Sequence, residues 1–180
     1  DCGEINDKKI HIAGISLINV QTGKNIIHHV ITPINEEHFW INELNRIMNT
    51  FSVIETVIHK SPLVLMSDND FVNIFDLVNK CNSFHPYKSD IKEFSKISYQ
   101  NKTLQKVFKL TGMLSPIEYF DLERKPELTL SFMLALHHIY LHKADLINNI
   151  EEPVLLDNID FLTISADGVR QLNVVSNNNN

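Results

Sequence analysis

Two runs of β-branched residues joined by a tight turn constrain the fold of this chain more than any other feature. Residues 9–20 and 26–34 are rich in isoleucine and valine, which favours strands. Between them, residues 21–25 include Gly23 and Asn25, which tolerate the positive φ that a reversing turn needs. The pattern predicts a β-hairpin. The polar residues 1–8 that precede it are expected to form a tail or linker.

Helical periodicity dominates the chain after this hairpin. Apolar residues recur at helical spacing over residues 36–51, 70–80, 102–110 and 126–150. Shorter segments are expected as a helical turn at 116–120 and as strands at 55–59, 62–66 and 161–164. Residues 82–100 lack a clear period and are expected to form a loop. Gly112 is expected to end the predicted helix over residues 102–110. This order predicts an α/β layer architecture with a mixed sheet.

The composition fits one packed domain and disfavours several partners. The chain has 180 residues, of which 43% are hydrophobic, and its net charge is −6. An acidic surface does not favour DNA or an anionic membrane, because phosphate binding depends largely on lysine and arginine. The longest apolar runs, such as residues 132–136, fall far short of the ~20 residues of a membrane span. No signal-peptide pattern opens the chain.

Motifs for nucleotide and cysteine chemistry are missing from the sequence. Gly23 and Lys24 are followed by Asn25 rather than by Ser or Thr, so a phosphate-binding loop is excluded, and no G-x-G-x-x-G is present. We therefore expect no cofactor in this chain. Cys2 and Cys81 have no metal-binding spacing and are expected to be buried or idle thiols in a reducing compartment, with a disulfide between them as the alternative. No recognisable catalytic signature surrounds Cys81.

Histidines are frequent, but their spacing gives little support for a metal site. His138 and His142 stand four residues apart on the predicted long helix, a spacing that can place two imidazoles on one metal ion. The residue after His138 is Ile139 rather than the glutamate of H-E-x-x-H. We therefore expect these two residues and His137 to be structural or surface histidines, and predict no metal ligands. The adjacent histidines at 28 and 29 alternate faces on a strand and cannot chelate together.

The distribution of carboxylates argues against a nuclease. A hairpin-first α/β sheet is the layout of ribonuclease-H-like nucleases, which place an acid on the first strand to bind a catalytic metal. Residues 8–35 contain no aspartate or glutamate. The remaining candidates are expected to cap helices or to be solvated, so no catalytic residue is predicted. These candidates are Asp68, Asp70, Asp157 and Asp160.

One basic segment is a candidate contact surface. Lys88, Lys92 and Lys96 follow each other at intervals of four residues, among several aromatic residues. Such a pattern is typical of a solvated helix face, and it could also contact a partner.

Three stretches resemble the MutS family of DNA mismatch-repair proteins. Residues 12–23, IAGISLINVQTG, resemble the opening strand and turn of that family's connector domain. Residues 130–150 resemble its late helix, and residues 161–174, FLTISADGVRQLNV, resemble the passage into the core domain. Ser165, Gly168, Gln171 and Asn173 depart from the usual residues of that passage. The resemblance implies a linker at 1–8, a connector domain at 9–152 and the start of the core domain, with a disordered Asn tail, at 153–180.

The same resemblance implies a non-catalytic, ribonuclease-H-like α/β domain. No phenylalanine here is followed two residues later by glutamate, so the family's mismatch-reading motif is missing, as is its phosphate loop. A full-length protein of the family would be a DNA-dependent ATPase that uses ATP and Mg²⁺ and binds mismatched DNA as a dimer. The connector would relay between its mismatch-binding and ATPase parts and offer a surface to a MutL-type protein. The alternatives are a metal-dependent nuclease using Asp68, Asp70 or Asp157, and an unrelated α/β protein-interaction module.

Overall fold

A computed structural model describes residues 2–5, 8–33, 39–59, 83–86 and 91–156 of the chain. The strands are β1 (Cys2–Ile5), β2 (Lys8–Ile18), β3 (Asn25–Pro33), β4 (Glu55–Ile58), β5 (Ser83–Pro86) and β6 (Val154–Leu155). The helices are α1 (Phe39–Phe51), α2 (Ile97–Phe108), α3 (Pro116–Tyr119) and α4 (Pro126–Lys143), and α4 is followed by a 3₁₀ helix (Ala144–Asn149).

Four of these strands form a mixed sheet in the order β1-β2-β3-β6. The predicted hairpin is its centre, since β2 and β3 pair antiparallel from Ile10 opposite Pro33 to Ile18 opposite Asn25. β1 pairs antiparallel with the start of β2, and β6 runs parallel to β3. The predicted α/β fold, with a mixed sheet opened by a hairpin and flanked by helices, is confirmed.

The turn of the central hairpin also positions the last strand. The side chain of Asn19 accepts hydrogen bonds from the amides of Gln21 (3.0 Å) and Thr22 (3.1 Å), which closes the turn. Gly23 has a φ of 83°, a conformation that side chains disfavour. Its carbonyl accepts a hydrogen bond of 2.9 Å from the amide of Glu151. This contact brings the chain that leaves the 3₁₀ helix alongside β3, where β6 begins.

The hydrophobic core lies between the sheet and the C-terminal helices. Helix α4 supplies more of it than any other element, including the fully buried Leu128 and Phe132, and helix α2 adds Leu104. Ile27 of β3 joins the same cluster. Burial of such side chains contributes about 1.5–3 kcal/mol each, so this cluster provides the main stabilisation of the described fold.

Three details of the fold differ from the sequence predictions. Residues Cys2–Ile5 were expected in a tail or linker but form β1, because their backbone pairs with β2. Helix α2 begins at Ile97, inside the predicted loop, and ends at Phe108. Lys109, the next residue, adopts a left-handed conformation (φ 51°) and ends the helix, whereas the sequence predicts that Gly112 ends it. The predicted long helix changes to 3₁₀ geometry after Lys143.

The predicted strand at 55–59 is confirmed as β4, but it does not join the main sheet. β4 and β5 pair in parallel as a separate two-stranded sheet, from Glu55 opposite Ser83 to Ile58 opposite Pro86. The predicted strands at 62–66 and 161–164 and the helix at 70–80 lie outside the described residues.

Candidate functional site

Three side chains with metal-binding atoms converge between β4 and the end of α4. Glu55 is the first residue of β4, while His138 and His142 stand one turn apart on α4. The Nε2 atom of His138 lies 3.0 Å from the Oε1 atom of Glu55. The imidazole ring centroids of the two histidines are 4.3 Å apart. One ligand atom from each of the three side chains lies within 4.8 Å of the other two.

The backbone explains why these groups meet. Residues four apart on a helix project from one face, so the two imidazoles are neighbours. Helix α1 ends at Phe51, and Ser52 adopts a left-handed φ of 49°, which turns the chain sharply into β4. β4 packs against α4, which brings the carboxylate of Glu55 to His138 across 83 residues of sequence.

The site is half enclosed. The His138 side chain is 16% exposed and that of Glu55 is 46% exposed, while His142 is exposed. The cluster therefore has one shielded member and two that solvent ions can reach. It also lies at the C-terminal end of α4, where the helix dipole favours positive charge.

A cavity of about 1080 Å³ adjoins this cluster. It lies between β2, α1, β4 and α4, and Glu55 and His138 are part of its wall. Much of the remaining wall is apolar, with Trp40 and Leu44 from α1 and Leu134 from α4. The cavity thus places an apolar surface next to two polar groups.

Two other histidines occupy opposite faces of β3, as their adjacent positions predicted. The Nε2 atom of His28 lies 3.1 Å from a carboxylate oxygen of Glu43 on α1, and that of His29 lies 3.8 Å from a carboxylate oxygen of Glu127 on α4. Burial lowers the pKa of His29, and the nearby carboxylate of Glu127 opposes this only in part. His28 thus links α1 to the sheet, whereas the separation of His29 and Glu127 exceeds a hydrogen bond, and the two histidines do not form a joint chelating site.

The carboxylate of Glu43 is shared with a second helix residue. Arg46, one turn further along α1, binds it with two guanidinium nitrogens, one of them at 2.8 Å. This hydrogen bonding lowers the pKa of Glu43 despite its partial burial. Glu43 is thereby held as a carboxylate beside β3, in a structural role.

The third histidine of the α4 group is separate from the cluster. The His137 ring packs edge-on against Phe94 at a centroid distance of 4.9 Å. Burial, assisted by the neighbouring His138, lowers the pKa of His137. His137 therefore belongs to the packing between α4 and the segment before α2.

The lysines of the candidate contact surface do not lie along one helix. Lys92 is in the turn formed by residues 91–95 and Lys96 is the residue preceding α2, so both lie in the predicted loop and do not share a helix face. Both lysines are exposed. Lys88 lies outside the described residues, as do Cys81, Asp68, Asp70, Asp157 and Asp160.

Sequence reasoning found part of the cluster and missed the rest. The spacing of His138 and His142 indicates that they share one helix face. The H-E-x-x-H motif requires a glutamate at the position of Ile139, so it does not identify an acid that is distant in sequence. Glu55 carries no local signal, because only the packing of β4 on α4 brings it to the histidines.

The chain is similar to a protein of Acanthamoeba polyphaga mimivirus that bears the provisional name of a DNA mismatch repair protein, a mutS homolog. The two sequences are 30% identical over an alignment of 191 positions, which includes 96% of this chain. The chain spans only 17% of the length of that relative. No protein-family model matches the chain.

Within the described ranges, every helix is too short or too polar to cross a membrane.

Proposed function

We propose that this chain is a non-catalytic connector module of a MutS-like mismatch-repair protein. The observation behind the proposal is the 30% identity to a mutS homolog over almost the whole chain. The resemblance of the hairpin, the long helix and residues 161–174 to the MutS connector supports the same assignment. On this proposal the connector is the unit built on the four-stranded sheet, including β1 and β6, and the core domain begins after β6.

The chemistry of the hairpin is consistent with a module that lacks nuclease activity. A ribonuclease-H-like nuclease needs a carboxylate on its first strand to bind a metal ion. The central hairpin has no acid between residues 8 and 35, and His28 instead contacts the carboxylate of Glu43 on α1. The net charge of −6 likewise does not favour phosphate contacts. The module therefore acts by linking other domains and offering a surface to a MutL-type partner.

Binding and activity measurements on the 180-residue chain test the proposal. We expect it to bind the MutL-type protein of the same source, to hydrolyse no ATP, and to bind matched and mismatched duplexes equally weakly. ATP and Mg²⁺ belong, on this proposal, to other parts of the full-length protein. Preference for a mismatched duplex would contradict the proposal. So would Mg²⁺-dependent cleavage of DNA that is lost on Asp68→Asn, Asp70→Asn or Asp157→Asn, since that result supports the nuclease alternative.

Charge reversal locates the partner surface. The double substitution Lys92→Glu and Lys96→Glu is expected to weaken binding to the MutL-type protein by about tenfold, because rim charges guide association. The matched control is Lys102→Glu with Lys143→Glu, which changes the net charge equally at two exposed positions elsewhere. An equal loss in both double variants would mean that overall charge is responsible, and that the Lys88–Lys96 segment is not the contact.

A further inference from the structure

We propose that Glu55, His138 and His142 form a zinc-binding site that fastens β4 to the end of α4. The proposal rests on the geometry of these three side chains and is independent of the assignment to mismatch repair. Nothing in the MutS resemblance requires a metal at this position.

The ligand types select the metal. Two imidazoles and one carboxylate are the protein ligands of many three-residue zinc sites, in which a water molecule takes the fourth position. Mg²⁺ and Ca²⁺ prefer oxygen ligands, so two histidines disfavour both ions. Among the transition metals that imidazole suits, Zn²⁺ also accepts a carboxylate in a tetrahedral arrangement.

The distances fit a tetrahedral site after small side-chain adjustments. Zinc bonds of about 2.0–2.2 Å separate neighbouring ligand atoms by about 3.3–3.6 Å in a tetrahedron. The Nε2 atom of His138 is 3.0 Å from Glu55, and all three ligand atoms lie within 4.8 Å of one another. Opening the first distance by a few tenths of an ångström and rotating the exposed His142 ring would complete the arrangement.

The position of the site gives the ion a structural role. It would join β4, a strand of the two-stranded sheet, to α4, which packs against the main sheet. Its ligands Glu55 and His138 are 83 residues apart in sequence. The C-terminal end of α4 favours a cation because its last carbonyls carry partial negative charge. A ligand that binds only the folded chain stabilises it by mass action, so zinc would raise the stability of the β4–α4 junction.

Zinc titration of the 180-residue chain, free of any affinity tag, tests the site. We expect calorimetry to show one Zn²⁺ per chain, and Co²⁺ to give the visible absorption of a tetrahedral nitrogen and oxygen site. Glu55→Gln and His142→Gln are each expected to weaken zinc binding by about 100-fold or more, since even outer partners of a metal site cost 10–100-fold. Both residues are exposed, so these variants should fold.

A matched control uses the neighbouring histidine. His137→Gln removes an imidazole from the same helix turn, yet this ring packs on Phe94 and is not one of the three ligands. Zinc affinity should be unchanged in this variant. Zinc should raise the melting temperature of the wild type and of His137→Gln, and should leave that of Glu55→Gln and His142→Gln unchanged. Failure to bind one equivalent, or equal losses in all three variants, would overturn the proposal and leave a plain hydrogen bond between Glu55 and His138.

Discussion

At Gly14, the backbone of β2 meets the first turn of α4 without an intervening side chain. A Cβ atom at this position would overlap the carbonyl of Glu127 and lie 2.5 Å from the Cα of Leu128. Gly14→Ala is therefore expected to push α4 away from the sheet, lowering the free energy of unfolding by about 1–3 kcal/mol. The shift of the urea midpoint measures this loss.

Gly112 provides the control for that substitution. A Cβ atom there would have only the amide of Leu114 nearby, at 3.9 Å, and its backbone φ is not positive. Gly112→Ala should leave the free energy of unfolding unchanged or raise it by up to about 1 kcal/mol, because the unfolded chain loses freedom. Equal destabilisation by both substitutions would mean that the contact between β2 and α4 is not responsible.

At the level of elements, a side chain of α2 completes the hydrogen bonding of α3. The Oδ1 atom of Asn101 accepts a bond of 3.1 Å from the amide of Ile117, a buried residue in the first turn of α3. Asn101→Ala leaves this amide without that partner, which costs about 1–3 kcal/mol. Thermal unfolding of this variant should show the loss. Lys102→Ala, at the adjacent exposed position, should change stability by less than about 0.5 kcal/mol.

The elements that sequence alone predicted are those with a strong local pattern. The central hairpin and α4 follow from β-branched runs and from helical periodicity, and both are present. The early start of α2 could not be predicted in this way. Gln100, in the first turn of α2, has a buried side-chain amide that donates a hydrogen bond of 2.8 Å to the carbonyl of Phe94, a contact that helical periodicity does not reveal. β1 depends on pairing with β2 rather than on its own polar residues.

At the level of the whole molecule, the candidate site includes a residue that local sequence patterns cannot identify. The pair His138 and His142 is readable from helical spacing, whereas Glu55 becomes a member only because β4 packs on α4. Long-range packing is thus the information that the sequence patterns lacked. The same packing divides the described fold into a strongly buried part around α4 and a less buried part around α1.

This division predicts unequal local stability across the molecule. Helix α4 has six buried residues, whereas Ile47 is the buried one among the described side chains of α1. Amides open locally more often where few apolar contacts are lost. Hydrogen exchange measured by mass spectrometry should therefore be slower in α4 than in α1, by about tenfold or more. Equal protection of the two helices would mean that the fold opens as one unit, with α1 held as firmly as the core.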